Sequence, residues 1–204
     1  MFRSDVPAGY YPYATRDWGH SWSSPVHVPD ILLGPDFDEA TFTRLEELRQ
    51  RYFPPERNVV PAHLSLFHRL PPEEEPTLRE VLTAAAACTS PLRLTFARLR
   101  RLGGGMAVEV EAEGLGSLQA SLARSFDAWL TPQDRQPFRP HVTVMNKAPP
   151  EEAARAFAEL GARWAPWGGQ GEALLLWRYL GGPWEEVGRF PLARQAVHTS
   201  PPGR

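Results

Sequence analysis

Two stretches decide how this chain is read: Ala62-His63-Leu64-Ser65-Leu66-Phe67-His68 and Pro140-His141-Val142-Thr143-Val144-Met145-Asn146. Each opens with polar and apolar residues alternating at period two, the mark of a strand with one buried face. Successive strand side chains point to opposite faces. His63 therefore shares a face with Ser65, and His141 with Thr143, while Leu64, Leu66, Val142 and Val144 turn toward a core. A single His-x-Ser tripeptide in a strand is uninformative. Two copies in matching places of one chain are a signal.

The flanking sequence supplies the matching places. Residues 26–33 read as a strand, weakened by Pro29. A helix capped by Asp36 or Asp38 runs to about Tyr52, with Phe42, Leu45, Leu48 and Tyr52 along one side, and Pro54 and Pro55 stop it. The first histidine stretch, 62–68, reads as a strand, and 74–88 as a helix. Residues 91–101 and 105–112 form two strands joined at Gly103-Gly104-Gly105. A helix spans 115–130, a polar loop 131–139, and the second histidine strand 140–146. Pro149 and Pro150 open a helix over 150–161, and two strands, 171–180 and 184–191, flank Gly181-Gly182. The order helix, histidine strand, helix, hairpin thus occurs twice. The helix end precedes the histidine by 11 residues in both halves (52 to 63, 130 to 141), and the next helix follows by 11 and 9 (63 to 74, 141 to 150). This spacing predicts two similar lobes about a pseudo-twofold, with the two histidine strands as equivalents. The body covers 26–194, between an aromatic arm at 1–25 and a tail at 195–204.

Composition bounds the function classes. With 204 residues, 42% of them hydrophobic and 23% charged, the chain has ordinary globular proportions. A formal net charge of −2 excludes the global basic field of a non-specific nucleic-acid binder, while leaving room for a local basic groove. Lys147 is the sole lysine and all other basic residues are arginine. Arginine suits bidentate phosphate contacts, although a codon bias explains the usage more simply. Cys88, the one cysteine, builds no disulfide framework and is expected as a small buried hydrophobe of the second helix. No apolar run has the length of a membrane span, and the first 22 residues lack the apolar centre of a secretory signal. The expectation is a cytoplasmic monomer.

The chemistry follows from the residue types. Imidazole titrates near neutrality, so of two histidines one can act as base and the other as acid. Phosphodiester hydrolysis needs a base for the attacking water and an acid for the leaving oxygen. Its transition state gathers charge on the non-bridging oxygens, where the hydroxyls of Ser65 and Thr143 would donate. This set requires no metal or organic cofactor.

AHLSLFH and RPHVTVMNK resemble the paired His-x-Ser/Thr motifs of the 2H phosphoesterase superfamily, which includes the 2'-5' RNA ligase group and RNA 2',3'-cyclic phosphodiesterases. The resemblance covers about residues 26–191. It implies an α+β fold of two lobes, each an antiparallel sheet with helices outside, facing across a central cleft that holds both motifs. It implies His63 and His141 as catalytic residues and Ser65 and Thr143 as phosphate ligands. The first-motif histidine would be the acid and the second the base. The implied partner is RNA with a 2',3'-cyclic phosphate end or a small cyclic nucleotide, and the resemblance also implies 2'-5' RNA ligation as a companion reaction. A phosphodiesterase for another small cyclic phosphate, and a non-catalytic RNA-end binder, stand as alternatives. Arg135 and Arg139 are candidates to steer phosphate. Phe67, on the face of His63, and Phe138 are candidates to stack a base, with packing the more common role for such residues. His68 falls on the opposite parity from His63. It reads as a surface histidine, and that parity argues against a zinc site built from His63, His68 and His141.

Overall fold

The computed structural model describes residues 31–180 and 184–193. The predicted arm, the tail and the Gly181-Gly182 turn lie outside them. The elements run β1 (Ile31–Phe37), α1 (Glu39–Tyr52), β2 (Phe67–Leu70), α2 (Glu75–Ala87), β3 (Leu92–Leu102), β4 (Gly105–Ala112), α3 (Leu115–Ser125), β5 (His141–Met145), α4 (Pro150–Gly161), β6 (Trp167–Tyr179) and β7 (Trp184–Pro191), with three short 3-10 turns among the described residues. Local chemistry explains most boundaries. Asp38 caps α1, accepting from the Thr41 amide at 3.0 Å and the Thr41 hydroxyl at 2.6 Å. Pro150 opens α4 with Glu151 and Glu152 in its first turn.

Every strand pairing among the described residues is antiparallel, and the strands form a single seven-stranded sheet in the order β2-β1-β6-β3-β4-β5, with β7 also on β6. The hairpin of each half therefore serves the other half's histidine. The β3–β4 hairpin carries β5 and His141, while β6 reaches β2 through β1. The two ends of this strand order meet: Leu64, just before β2, makes an isolated antiparallel bridge to Val142 of β5. Both residues are fully buried, and a single core extends from them through Leu45, Phe67, Leu78, Phe96, Val108, Phe126 and Leu176.

Glycines permit two close approaches that shape this junction. A Cβ at Gly34 of β1 would collide with the Leu64 carbonyl, and one at Gly105 of β4 with the Met145 carbonyl. Each glycine lets a neighbouring strand lie tight against a histidine stretch.

Several expectations need correction. The first histidine stretch is not a strand over 62–68: regular pairing begins at Phe67, and His63 to Leu66 form extended chain held by the single bridge at Leu64. The first strand runs to Phe37 rather than ending at 33, since Gly34 and Pro35 pair with β6 despite their low strand propensity. The helix expected over 115–130 ends at Ser125 and continues as a 3-10 turn, Asp127–Trp129. The strand expected from 171 starts at Trp167, because Gly168 and Gly169 pair with β3. Cys88 caps α2 and is exposed, not buried.

Candidate active site

The bridge between Leu64 and Val142 sets the geometry. Around an antiparallel bridge, the residue before one partner lies beside the residue after the other. His63 is thus beside Thr143, and Ser65 beside His141. Leu64 and Val142 face the core, which turns the four polar residues to the opposite side, where all four are half-buried. The two motifs lie side by side on touching chain segments.

The two histidines are held identically. Nδ1 of His63 bonds the Pro61 carbonyl at 2.7 Å, and Nδ1 of His141 bonds the Arg139 carbonyl at 2.8 Å, each two residues back. A carbonyl oxygen accepts only, so Nδ1 carries the proton. Nε2 of the neutral ring is left as a bare acceptor for proton transfer. Both rings resist protonation. Burial pushes His63 down to about 4, with the nearby charges of Arg49, His68 and His141 adding to the effect and the Pro61 bond opposing it. Burial also lowers His141; the Arg139 bond and Glu109 oppose the shift, while Arg100 and His68 reinforce it.

Arg49 was not among the sequence candidates. It projects from α1 and is buried. Its Nη1 donates to the Thr143 carbonyl at 2.7 Å, and its Nη2 to Asn58 Oδ1 at 2.6 Å and the Val60 carbonyl at 2.8 Å. It thereby ties the second motif to the chain entering the first. Its Nε has no hydrogen-bond partner, and burial lowers the guanidinium to about 10. The signal was present in the sequence: Leu45, Arg49 and Tyr52 follow a helical i, i+4, i+7 stripe, and all three are buried.

A second unanticipated feature is a break in alternation, present in both motifs. Leu66 and Phe67 are consecutive and buried, as are Val144 and Met145. In β5 the break is a bulge: Met106 pairs with Met145 while Ala107 pairs with Thr143, so two β5 steps oppose one of β4. One expectation falls with it. Phe67 does not share the His63 face; it is fully buried, edge-to-face with Phe126 at 5.6 Å, and cannot stack a base. His68 is exposed, as expected of a surface histidine.

The other candidates are placed as follows. Arg135 is engaged in its own loop, with Nη1 donating to the Asp127 carboxylate at 2.6 Å and Nη2 to the Asp127 carbonyl at 2.5 Å. Arg139 is exposed and contributes its carbonyl to His141. Phe138 is half-buried against the core. Among the described residues no group of three or more His, Cys, Asp or Glu is arranged to hold a metal ion, and no helix is long and apolar enough to cross a membrane.

Comparison with known proteins gives the class. Residues 37–183 match the model of the 2'-5' RNA ligase superfamily. No curated protein matches the chain. Among solved structures, TT0787 of Thermus thermophilus is similar at a TM-score of 0.58 and 21% identity, over 82% of this chain and 100% of that one. A structure described as a phosphoesterase is similar at a TM-score of 0.57 and 19% identity, over 82% and 100%. E. coli LigT complexed with 3'-AMP is similar at a TM-score of 0.50 and 17% identity, over 82% and 100%. These likenesses show a shared α+β fold. The chain belongs to the 2'-5' RNA ligase superfamily.

Proposed function

We propose that the protein hydrolyses 2',3'-cyclic phosphates of nucleosides or RNA ends to 2'-phosphates. One neutral histidine takes the proton from water as its oxygen attacks phosphorus. The bond from phosphorus to the 3'-oxygen breaks, and the other histidine protonates that oxygen. Ser65 and Thr143 donate to the non-bridging oxygens. The reading is carried by the Leu64–Val142 bridge, which sets two His-x-Ser/Thr motifs side by side with both Nδ1 atoms already engaged. Nucleotide binding by the related E. coli LigT is compatible with it.

We assign the base to His63 and the acid to His141, the reverse of the division that the family resemblance implies. Arg49 and burial keep His63 a proton acceptor. Glu109, opposite His141 across the β4–β5 pairing, favours the proton that His141 must deliver. Joining of RNA ends through a 2'-5' bond follows the same sequence with a 5'-hydroxyl in place of water: its oxygen attacks phosphorus, the bond to the 3'-oxygen breaks, and the 3'-oxygen takes the proton.

A panel of 2',3'-cyclic mononucleotides and short RNAs with cyclic ends tests the proposal, with the position of the product phosphate read by phosphorus NMR. The expected product is the 2'-phosphate. Binding without turnover of any member would identify a non-catalytic RNA-end binder instead.

A further inference from the structure

The ladder that carries the second motif brings one more cation to its polar face. Directly paired residues of an antiparallel sheet share a face. Thr143 of β5 pairs with Ala107 of β4, and Ala107 pairs with Arg100 of β3. Thr143, Ala107 and Arg100 therefore form one row across three strands. The neighbouring row on that face is His141, Glu109 and Arg98. The opposite face is the core side. Val142, Val108 and Leu99 form a row there, and Arg101 lies over the Phe157 ring of α4, 5.1 Å from its centroid. Arg100 is thus two strand spacings from Thr143, about 10 Å between backbones. The only side chain between them in the row is the methyl of Ala107. A guanidinium extending from one side and a phosphate held by the Thr143 hydroxyl on the other close that gap.

The partners of the two arginines differ. Arg98, with 69% of its side chain exposed, takes the carboxylate of its row: Nε lies 2.6 Å from Glu109 Oε2, and Nη1 lies 3.7 Å from Glu111. Arg100 is the more buried, at 24% exposed. Its one ion pair among the described residues is long, 3.8 Å from Nη1 to Glu109 Oε1. The outer arginine therefore satisfies Glu109, and the inner one is left with donors that no close acceptor engages. A guanidinium largely withdrawn from water in this way gains most from a ligand that completes its hydrogen bonds. Its planar fork fits the oxygens of a phosphate. The charge of Arg100 already bears on the second motif, where it opposes protonation of His141.

Building on the phosphoesterase reading, we propose that Arg100 is a further phosphate ligand of the site, donating to a non-bridging oxygen of the phosphate that Thr143 holds. The contact strengthens as water attack gathers charge on those oxygens, and it is strongest to the dianionic 2'-phosphate product. The second motif thereby supplies the phosphate with a hydroxyl from β5 and a fixed positive charge from β3.

Binding tests this independently of turnover. Isothermal calorimetry would measure adenosine 2'-phosphate at fixed salt and about pH 8, where both site histidines are neutral. Arg100→Gln should weaken binding about 10- to 100-fold, the scale of a lost charge-assisted contact. Arg100→Lys, which keeps the charge without the fork, should recover part of the loss. Glu109→Gln removes the ion-pair partner and leaves the cation, so binding should hold or tighten. If Arg100 served only to brace Glu109, Glu109→Gln would weaken binding as Arg100→Gln does, and that result would overturn the proposal. Wild-type affinity in Arg100→Gln would overturn it too, as would no binding of adenosine 2'-phosphate by the wild type. A failed cyclic-phosphate panel would overturn the hydrolytic reading and leave these affinities standing.

Discussion

His63 and His141 are the same residue in the same local frame, yet they sit in different electrostatic surroundings. Both donate Nδ1–H to the carbonyl two residues back. Behind His63 lies the buried guanidinium of Arg49, and burial is deep enough to bring the ring to about 4. His141 has Glu109 opposite it across the β4–β5 ladder, which offsets part of the effect of Arg100. A duplicated motif thus provides two equivalent positions, and the surrounding unduplicated charges make them unequal. Acid/base catalysis needs that inequality, because one ring must be able to hold the proton while the other is empty.

The severest way to break this comparison is to remove the rings. His63→Ala and His141→Ala should each lower kcat by about 10²–10⁴, and the double variant should not multiply the losses, since the two act in one transition state. A substrate with an activated leaving group needs no acid. It should rescue His141→Ala and not His63→Ala; the opposite pattern would return the acid role to His63.

Removing the hydroxyls sharpens the symmetric part. Ser65→Ala and Thr143→Ala should each cost on the order of 10–10³ in kcat, the range of a lost oxyanion donor. Similar losses for the two in steady-state kinetics would mean that the phosphate sits centrally between the motifs.

Arg49→Met attacks the asymmetry itself. It removes charge-assisted bonds to Thr143, Asn58 and Val60, each worth about 1.5–3 kcal/mol, so urea unfolding should report a loss of several kcal/mol unless the site relaxes. With the cation gone, the His63 ring should bind a proton at higher pH. The acid limb of kcat/KM should therefore move upward. A limb that stays in place would show that Arg49 is a strut without electrostatic influence on the base.

The smallest effect is on stability against pH. Because the folded pKa of His63 lies below its ordinary 6.5, the unfolded chain takes up a proton that the folded site refuses. Stability should fall as pH drops from about 6.5 toward 4, by up to about 1.4 kcal/mol per unit, and no further below that from this group. His63→Gln should flatten this slope in thermal melts more than His141→Gln does.

What was legible in the sequence was whatever depends on near neighbours. Period-two alternation, proline punctuation and caps placed β4, α4 and β7 at their observed residues, and the two His-x-Ser/Thr stretches marked the site. Where reading failed, glycine or a bulge was the cause. Gly168 and Gly169 lie before the expected strand yet pair with β3, and the Leu66–Phe67 break moved Phe67 into the core. Periodicity assumes an unbroken pleat, and nothing within a seven-residue window announces the extra residue.

The sequence by itself determined the pair of motifs, the chemistry their side chains can perform and the order of the helices and strands that carry them, because these follow from residue type and local spacing. The tertiary structure decided which hairpin serves which histidine, that Leu64 meets Val142, and that Arg49 and Asp134 reach the motifs from 94 and 66 residues away in the chain. Those contacts arise when the sheet closes its strand order and buries polar groups that must find partners. A buried guanidinium or carboxylate takes whichever donor or acceptor the fold brings near, and sequence spacing does not encode that proximity.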